Sequence, residues 1–513
     1  MKLISYDLGT GGVKASLYDE ALHTLAKSFI EYETVYPGPG MHEQRPEDWW
    51  TGVVHSTRVL LEQSGAAPSE IACVALSGHS LVSVPVDARN RVLQAQVPIW
   101  SDTRAQAEAA AFFARIPERD WYMATGNGFP APCYSIFKLM WLKAHEPELF
   151  ARVHRVLGSK DYINFRLTGQ IATDWSYASG TGAYDLKAGR MRPDFLEAAG
   201  LPAHLFPTPD APHRIVGTVT GAAARETGLC AGTPVACGGV DNACMALGAV
   251  GPVPGRVYTS LGSSSWIPVN SAQPVLDAEK RPYVFAHIQE GLFTSAFSIF
   301  AGGSSLRWAR ETLCRDIADD GRAYQIMDGW AEQAPLGSNG IFFNPSLAGG
   351  TSQDKSIHIR GAFVGLHLGT TREDMIRAVM EGITLNLRLS LEALGAHTAL
   401  SGPLLICGGG SRSPFWMQMF ADVFNREIVK SNIDQDAASI GAAAIAARAV
   451  GLWRDYGGID GLHHIERRCA PDPARAARYE ALLPMFSRIC EVAADLGDAM
   501  YAASCGEPIT RKG

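Results

Sequence analysis

At 513 residues the chain is long enough for two or more domains. Apolar residues make 47% and charged residues 19%, with glycine and proline spread along the chain, which excludes a disordered, collagenous or disulfide-scaffold class. The net charge is -7 and no polybasic block occurs, so neither nucleic acid nor an anionic membrane is an expected partner. No apolar run approaches the roughly 20 residues of a membrane-spanning helix. Asp7 interrupts the N-terminus before a secretory apolar core could form, so a cytoplasmic location is expected. The ten cysteines contain no Cys-x-x-Cys pair and read as reduced, buried thiols.

Residues 2–7 read as a strand, and Gly9 to Gly12 as a turn. Val13, Ala15 and Leu17 then alternate with Lys14, Ser16 and Tyr18, and a third extended run covers residues 24–33. Pro46 with Glu47 and Asp48 opens a helix. Ile71 to Leu76 is continuously apolar, hence a central parallel strand. The proline-rich stretch 193–212 breaks the pattern. Val235 to Gly239 reads as a further buried strand, Asn242 to Val250 as a helix of small residues, and Gly251 to Gly255 as a linker. Beyond it the opening grammar returns: strand from Arg256 to Leu261, small-residue turn, strand from Trp266 to Val269. The repetition suggests a duplicated α/β unit.

Asp7-Leu8-Gly9-Thr10-Gly11-Gly12-Val13-Lys14 is the strongest local signal. A carboxylate at a strand end can hold a hydrated Mg²⁺. Glycines let backbone N–H groups approach phosphate oxygens, Thr10 adds a hydroxyl and Lys14 a positive charge. A dinucleotide fingerprint would have to open a helix, whereas the period here is two; a plain Gly-Gly hairpin stays open. Gly262-Ser263-Ser264 stands at the corresponding place in the second half. Gly408 to Arg412, with Gly409, Gly410 and Ser411, follows a buried strand and precedes a helix, where it serves either an adenosine or a ligand-free turn. Asp241 closes the strand ahead of a helix, as a general base for an attacking hydroxyl or as an N-cap. In Trp100 to Arg104 an indole can stack on a sugar while Asp102 and Arg104 bond hydroxyls; a core tryptophan with a capping aspartate is the alternative.

Together these motifs resemble the FGGY carbohydrate kinases, within the actin and hexokinase superfamily of ATP-binding folds. The likeness rests on Asp7–Lys14, Gly238–Asn242, Leu261–Ser264, Gly408–Arg412 and Ala438–Ala443, in order along nearly the whole chain. It is strongest to the xylulose kinases. It implies an α/β fold of two RNase H-like domains with a cleft between them: residues 1–250 binding sugar, residues 251–513 binding nucleotide. It implies Asp241 as base and Asp7 as the residue orienting Mg²⁺ through water. Gly9, Thr10, Gly11, Lys14, Gly262, Ser263 and Ser264 would hold the phosphates, and Gly409, Gly410 and Ser411 the adenosine. Trp100, Asp102, Asn242 and the run His79, Ser80, Leu81 would face the sugar.

Two departures bear on the substrate. Xylulose kinases carry Met-His where this chain has Ser80-Leu81, and the family's Pro-Tyr-Leu-x-Gly-Glu-Arg segment reads Pro345 to Thr351 without its acid and arginine. The expectation is ATP-dependent phosphorylation of a ketopentose, D-xylulose first, or of a related sugar or polyol. The partners are then a small-molecule sugar and ATP, with a homodimer left open. An actin-like ATPase without a sugar acceptor is the alternative class.

Overall fold

The computed structural model describes residues 1–504, so Cys505 and the end of the expected second domain lie outside the described residues. The period-two run at the N-terminus forms an antiparallel meander: β1 (Lys2–Leu8), β2 (Gly12–Tyr18) and β3 (Thr24–Glu31). Helix α1 (Pro46–Ser64) starts on its proline, lays Trp49, Val53 and Leu60 against this sheet, and ends on Gly65 in the left-handed conformation. The continuous apolar run becomes β4 (Ile71–Gly78), parallel to β1 and buried on both faces. Among the helices that follow are α2 (Ser135–His145), α3 (Ser159–Thr168), α4 (Trp175–Ala178) and α5 (Asp241–Val250), with further strands before α5. Those strands, β5 (Ile215–Thr218) and β6 (Pro234–Ala236), and the short β7 (Gly239–Val240), complete seven strands in the order β5-β6-β4-β1-β2-β3, with β7 also on β4.

The expected strand at 235–239 is therefore broken in two. Gly238 sits at φ +79°, and a Cβ there would collide with the Leu76 carbonyl oxygen. Only glycine lets the chain kink this close to β4. The kink turns the end of β7 so that Asp241 begins α5 at the carboxyl end of the sheet.

The second sheet repeats the plan. β8 (Val257–Leu261) and β9 (Ser265–Ser271) form a hairpin, β10 (Tyr283–Ala286) and β11 (Phe293–Ile299) extend it, and β12 (Leu404–Cys407) lies parallel to β8 as β4 does to β1. β13 (Ile428–Ser431) and β14 (Ile465–Cys469) complete the order β10-β11-β9-β8-β12-β13-β14. Among its helices, in position order, are α6 (Gly302–Leu313), α7 (Arg372–Gly395), α8 (Pro414–Phe424), α9 (Ala437–Ala449) and α10 (Pro473–Ala503). α5 and α9 cross between the two sheets at Gly248 and Gly441. Among the described residues no helix is long and apolar enough to cross a membrane.

Candidate active site

The site grows from the carboxyl ends of β1, β4 and β7. Register sets Asp7 opposite both Lys14 on β2 and Ser77 on β4. Ser77 Oγ donates to Asp7 Oδ1 at 2.9 Å, which leaves the second carboxylate oxygen free. Burial raises the Asp7 pKa above the ordinary aspartate value, against the pull of Lys14. Asp241 begins α5, and its Oδ1 accepts from the Asn242 N–H at 2.8 Å. Burial, then the negative charge of Asp7, push its carboxyl up to about 7. Among the described residues the Asn242 side chain has no hydrogen-bond partner, and it is half-buried.

The first loop is held from behind. Gly9 N–H donates to Gly12 carbonyl at 3.0 Å and Tyr32 OH donates to Gly9 carbonyl. Gln44 Nε2 donates to Thr10 carbonyl at 2.6 Å, and Trp49 Nε1 donates to Gln44 Oε1 at 3.0 Å. Thr10 and Gly11 stay exposed at the tip. The second loop, Gly262 to Ser264, is exposed and rests on the start of α6: Gly303 and Ser304 N–H donate to the Gly262 and Ser263 carbonyls at 2.9 and 3.0 Å. A Cβ at Gly303 would collide with Gly262 carbonyl. Arg307, one turn along α6, reaches Ser263 Oγ at 3.2 Å and is exposed.

The third loop lies on β8. Gly408 at φ +89° and Gly410 both abut Leu261, and Gly408 N–H donates to Asp434 Oδ1 at 2.6 Å. Gly409 faces open space. Ser411 is buried, and its hydroxyl donates to Gly408 carbonyl at 2.7 Å, so it closes the turn rather than facing a nucleotide.

Several expected contacts are placed elsewhere. Lys14 turns from the first loop: its Nζ donates to Gln435 carbonyl at 2.8 Å and lies 4.0 Å from Asp436, which Lys27 also contacts. The Trp100 indole is half-buried and donates to Thr10 Oγ1 at 2.9 Å, so it braces the first loop instead of standing free for a sugar. Asp102 is fully buried and accepts from Arg104 and from His42 N–H at 2.7 Å. Its role here is to tie loops together. Leu81, at φ +62°, points into the apolar cluster with Phe112 and Phe137, not into the cleft. His79 is buried edge-on to Trp49, with Nδ1 at 3.1 Å from Leu8 carbonyl, and burial lowers its pKa to about 4. Ser80 remains: it is 7% exposed and its hydroxyl has no partner.

Gly302, Gly303 and Arg307 went unread in the sequence. The paired glycines ahead of a helix were the available signal, but nothing in local spacing ties them to residues 262–263.

Comparison with known proteins agrees with this geometry. The models for the FGGY family of carbohydrate kinases match at residues 2–248 (N-terminal domain) and 257–450 (C-terminal domain). The chain belongs to the FGGY family of carbohydrate kinases. It is 30% identical to a xylulose kinase of Bacillus subtilis (strain 168), over 97% of this chain and 98% of that one. The crystal structure of xylulose kinase from Rhodospirillum rubrum superposes with a TM-score of 0.89 at 29% identity, covering 97% of this chain and all of that one. The gluconate kinase structure from Lactobacillus acidophilus reaches the same TM-score at 26% identity, covering 96% and 98%. The fold is the two-domain FGGY kinase fold, and the protein is a carbohydrate kinase that takes ATP and a small-molecule sugar. The actin-like alternative without a sugar acceptor is thereby set aside.

Proposed function

We propose that this kinase transfers the γ-phosphoryl of ATP to a hydroxyl of a ketopentose, D-xylulose first, in the cytoplasm. The observation that carries the chemistry is the pair of strand-end carboxylates, Asp7 and Asp241, beside two exposed small-residue hairpins from the two sheets. Asp241 takes the proton of the attacking hydroxyl. The new bond forms between that oxygen and the γ-phosphorus, the bond to the β-phosphate oxygen breaks, and ADP leaves. Thr10, Gly11, Gly262, Ser263 and Ser264 bind phosphate oxygens, and Arg307 replaces Lys14 as the nearby cation. Gly409 and Gly410 pass along the adenosine.

Asp7 fits a divalent cation: one carboxylate oxygen is free, burial leaves its charge weakly compensated, and Lys14 is engaged by Gln435. Mg²⁺ held there through water would offset phosphate charge. Ser80 and Asn242, with free polar groups, are the sugar-facing residues; Trp100 and Asp102 act one layer behind.

Support for a ketopentose comes from the xylulose kinase relatives; a gluconate kinase structure with the same TM-score, at lower identity, keeps gluconate as a second acceptor. A coupled ADP-release assay over ketopentoses, pentitols, gluconate and glycerol tests the reading. D-xylulose should give the highest kcat/KM. Glycerol as best acceptor, or no turnover on any of them, overturns it.

A further inference from the structure

The backbone that delivers Asp241 is clamped on both sides of the Gly238 kink by a buried polar network that the phosphoryl-transfer chemistry does not itself use. On the upstream side, Cys237 carbonyl accepts from Asn164 Nδ2 at 2.7 Å and from Lys160 Nζ at 3.2 Å, both on α3. On the downstream side, the Val240 N–H donates to Ser176 Oγ at 3.0 Å. Ser176 Oγ in turn donates to Asp174 Oδ2, and Asp174 Oδ1 lies 3.0 Å from Lys160 Nζ. Lys160, Asn164, Asp174 and Ser176 are all fully buried. A chain of charge-assisted contacts thus runs from the ammonium of Lys160 through Asp174 and Ser176 to the amide immediately before Asp241.

Such an arrangement is costly unless it secures something. Burial works against the Lys160 charge, and Asp161 and Asp174 outweigh it, holding the ammonium charged. Buried charge networks of this kind give little net stability over an apolar core, and specify geometry instead. Here the geometry at issue is local. The segment between the clamps holds two consecutive glycines, the least restrained residues available, so its direction must come from outside.

We infer that Ser176 and Asn164, backed by Lys160 and Asp174, are positioning residues that fix the Gly238 kink and so aim the Asp241 carboxylate at the attacking hydroxyl. The inference rests on Asp241 being the base. Misplacing a catalytic group by about 1 Å can cost on the order of 10²-fold in rate, and second-layer substitutions commonly cost 10–100-fold.

The test is a double-mutant cycle on the whole enzyme with ATP and its best acceptor. Ser176→Ala should lower kcat roughly 10–100-fold, leaving both KM values within about threefold. Ser176→Thr, which restores the oxygen, should recover most of the loss. On an Asp241→Asn background, Ser176→Ala should cost almost nothing more, because the two act as a unit. A Ser176→Ala enzyme with wild-type kcat, or losses that multiply in the double variant, overturns the inference. If Ser176→Ala does not fold, Asn164→Ala is put through the same cycle against the upstream clamp, with the same two outcomes. Wild-type kcat in Asp241→Asn would instead overturn the assignment of the base, which is read separately from the clamp.

Discussion

Asp241 concentrates the chemistry into one titration. Burial and the Asp7 charge raise its carboxyl to about 7. As the proposed base it must be ionised to accept a proton, so kcat/KM for the sugar should fall about tenfold per pH unit below 7 and level off above it. A pH-rate profile checks this, and a flat profile between pH 5 and 8 refutes it. Asp241→Asn should lower kcat by about 10²–10⁴-fold while ATP still binds in a calorimetric titration. The same shift has a thermodynamic consequence of definite sign. The folded carboxyl holds its proton to about 7, the unfolded one releases it near the ordinary aspartate value. The unfolded state therefore binds fewer protons in that interval, and this group costs stability as pH rises towards 7. Relative to wild type, Asp241→Asn should raise Tm more at pH 8 than at pH 5. Equal shifts at both pH values would contradict the perturbed pKa.

At the scale of elements, the Gly262–Ser264 loop, proposed to bind phosphate, depends on how closely α6 approaches it. Gly303 places its N–H 2.9 Å from Gly262 carbonyl, with no room for a Cβ. Gly303→Ala should push the loop outward and raise the KM for ATP about tenfold, with the sugar KM nearly unchanged; steady-state kinetics in both substrates read the difference. The meander, the helix from Pro46, the repeated strand-turn-strand plan and the three glycine loops were all legible in the sequence, because period and turn chemistry are local. What failed was partner choice. Lys14 reads in the sequence as a charge for the phosphate loop; strand register does set it across from Asp7, yet its Nζ goes to Gln435, some 420 positions away, and no local pattern encodes that. For Trp100 and Asp102 the residue types suit either sugar contacts or a core tryptophan with a capping aspartate, and the family resemblance favours the sugar. In the fold, Thr10 and Arg104 claim them first. The strand expected through Gly239 broke because the Leu76 carbonyl packs against Gly238, a tertiary contact invisible to a propensity argument.

The whole molecule is two sheets joined by two crossing helices. α5 follows directly from Asp241, and α9 packs along β1 and β4, behind Asp7. The helices meet backbone to backbone: a Cβ at Gly248 would strike Ala437 carbonyl, and one at Gly441 would strike Cys244 carbonyl. Further contacts tie the halves together: Lys14 and Lys27 face Asp436, Phe129 stacks on Tyr283 at 3.8 Å and Arg281 pairs with Glu118. The exposed ion pairs contribute little, on the order of 1 kcal/mol or less each. The helix crossing joins the halves backbone to backbone, and the two hairpins proposed to bind phosphate, at Thr10–Gly11 and Gly262–Ser264, sit one on each half. Gly441→Ala adds one methyl at that crossing and must part the helices. Because the proposed reaction needs closure to bring ATP, sugar and Asp241 together and to exclude water as a competing acceptor, the variant should lose kcat and raise both KM values together, unlike Gly303→Ala. Small-angle scattering should show wild-type enzyme contracting when ATP and sugar are added and the variant contracting less. A variant with only its ATP KM altered, or one that contracts as wild type does, would show that the crossing does not govern closure.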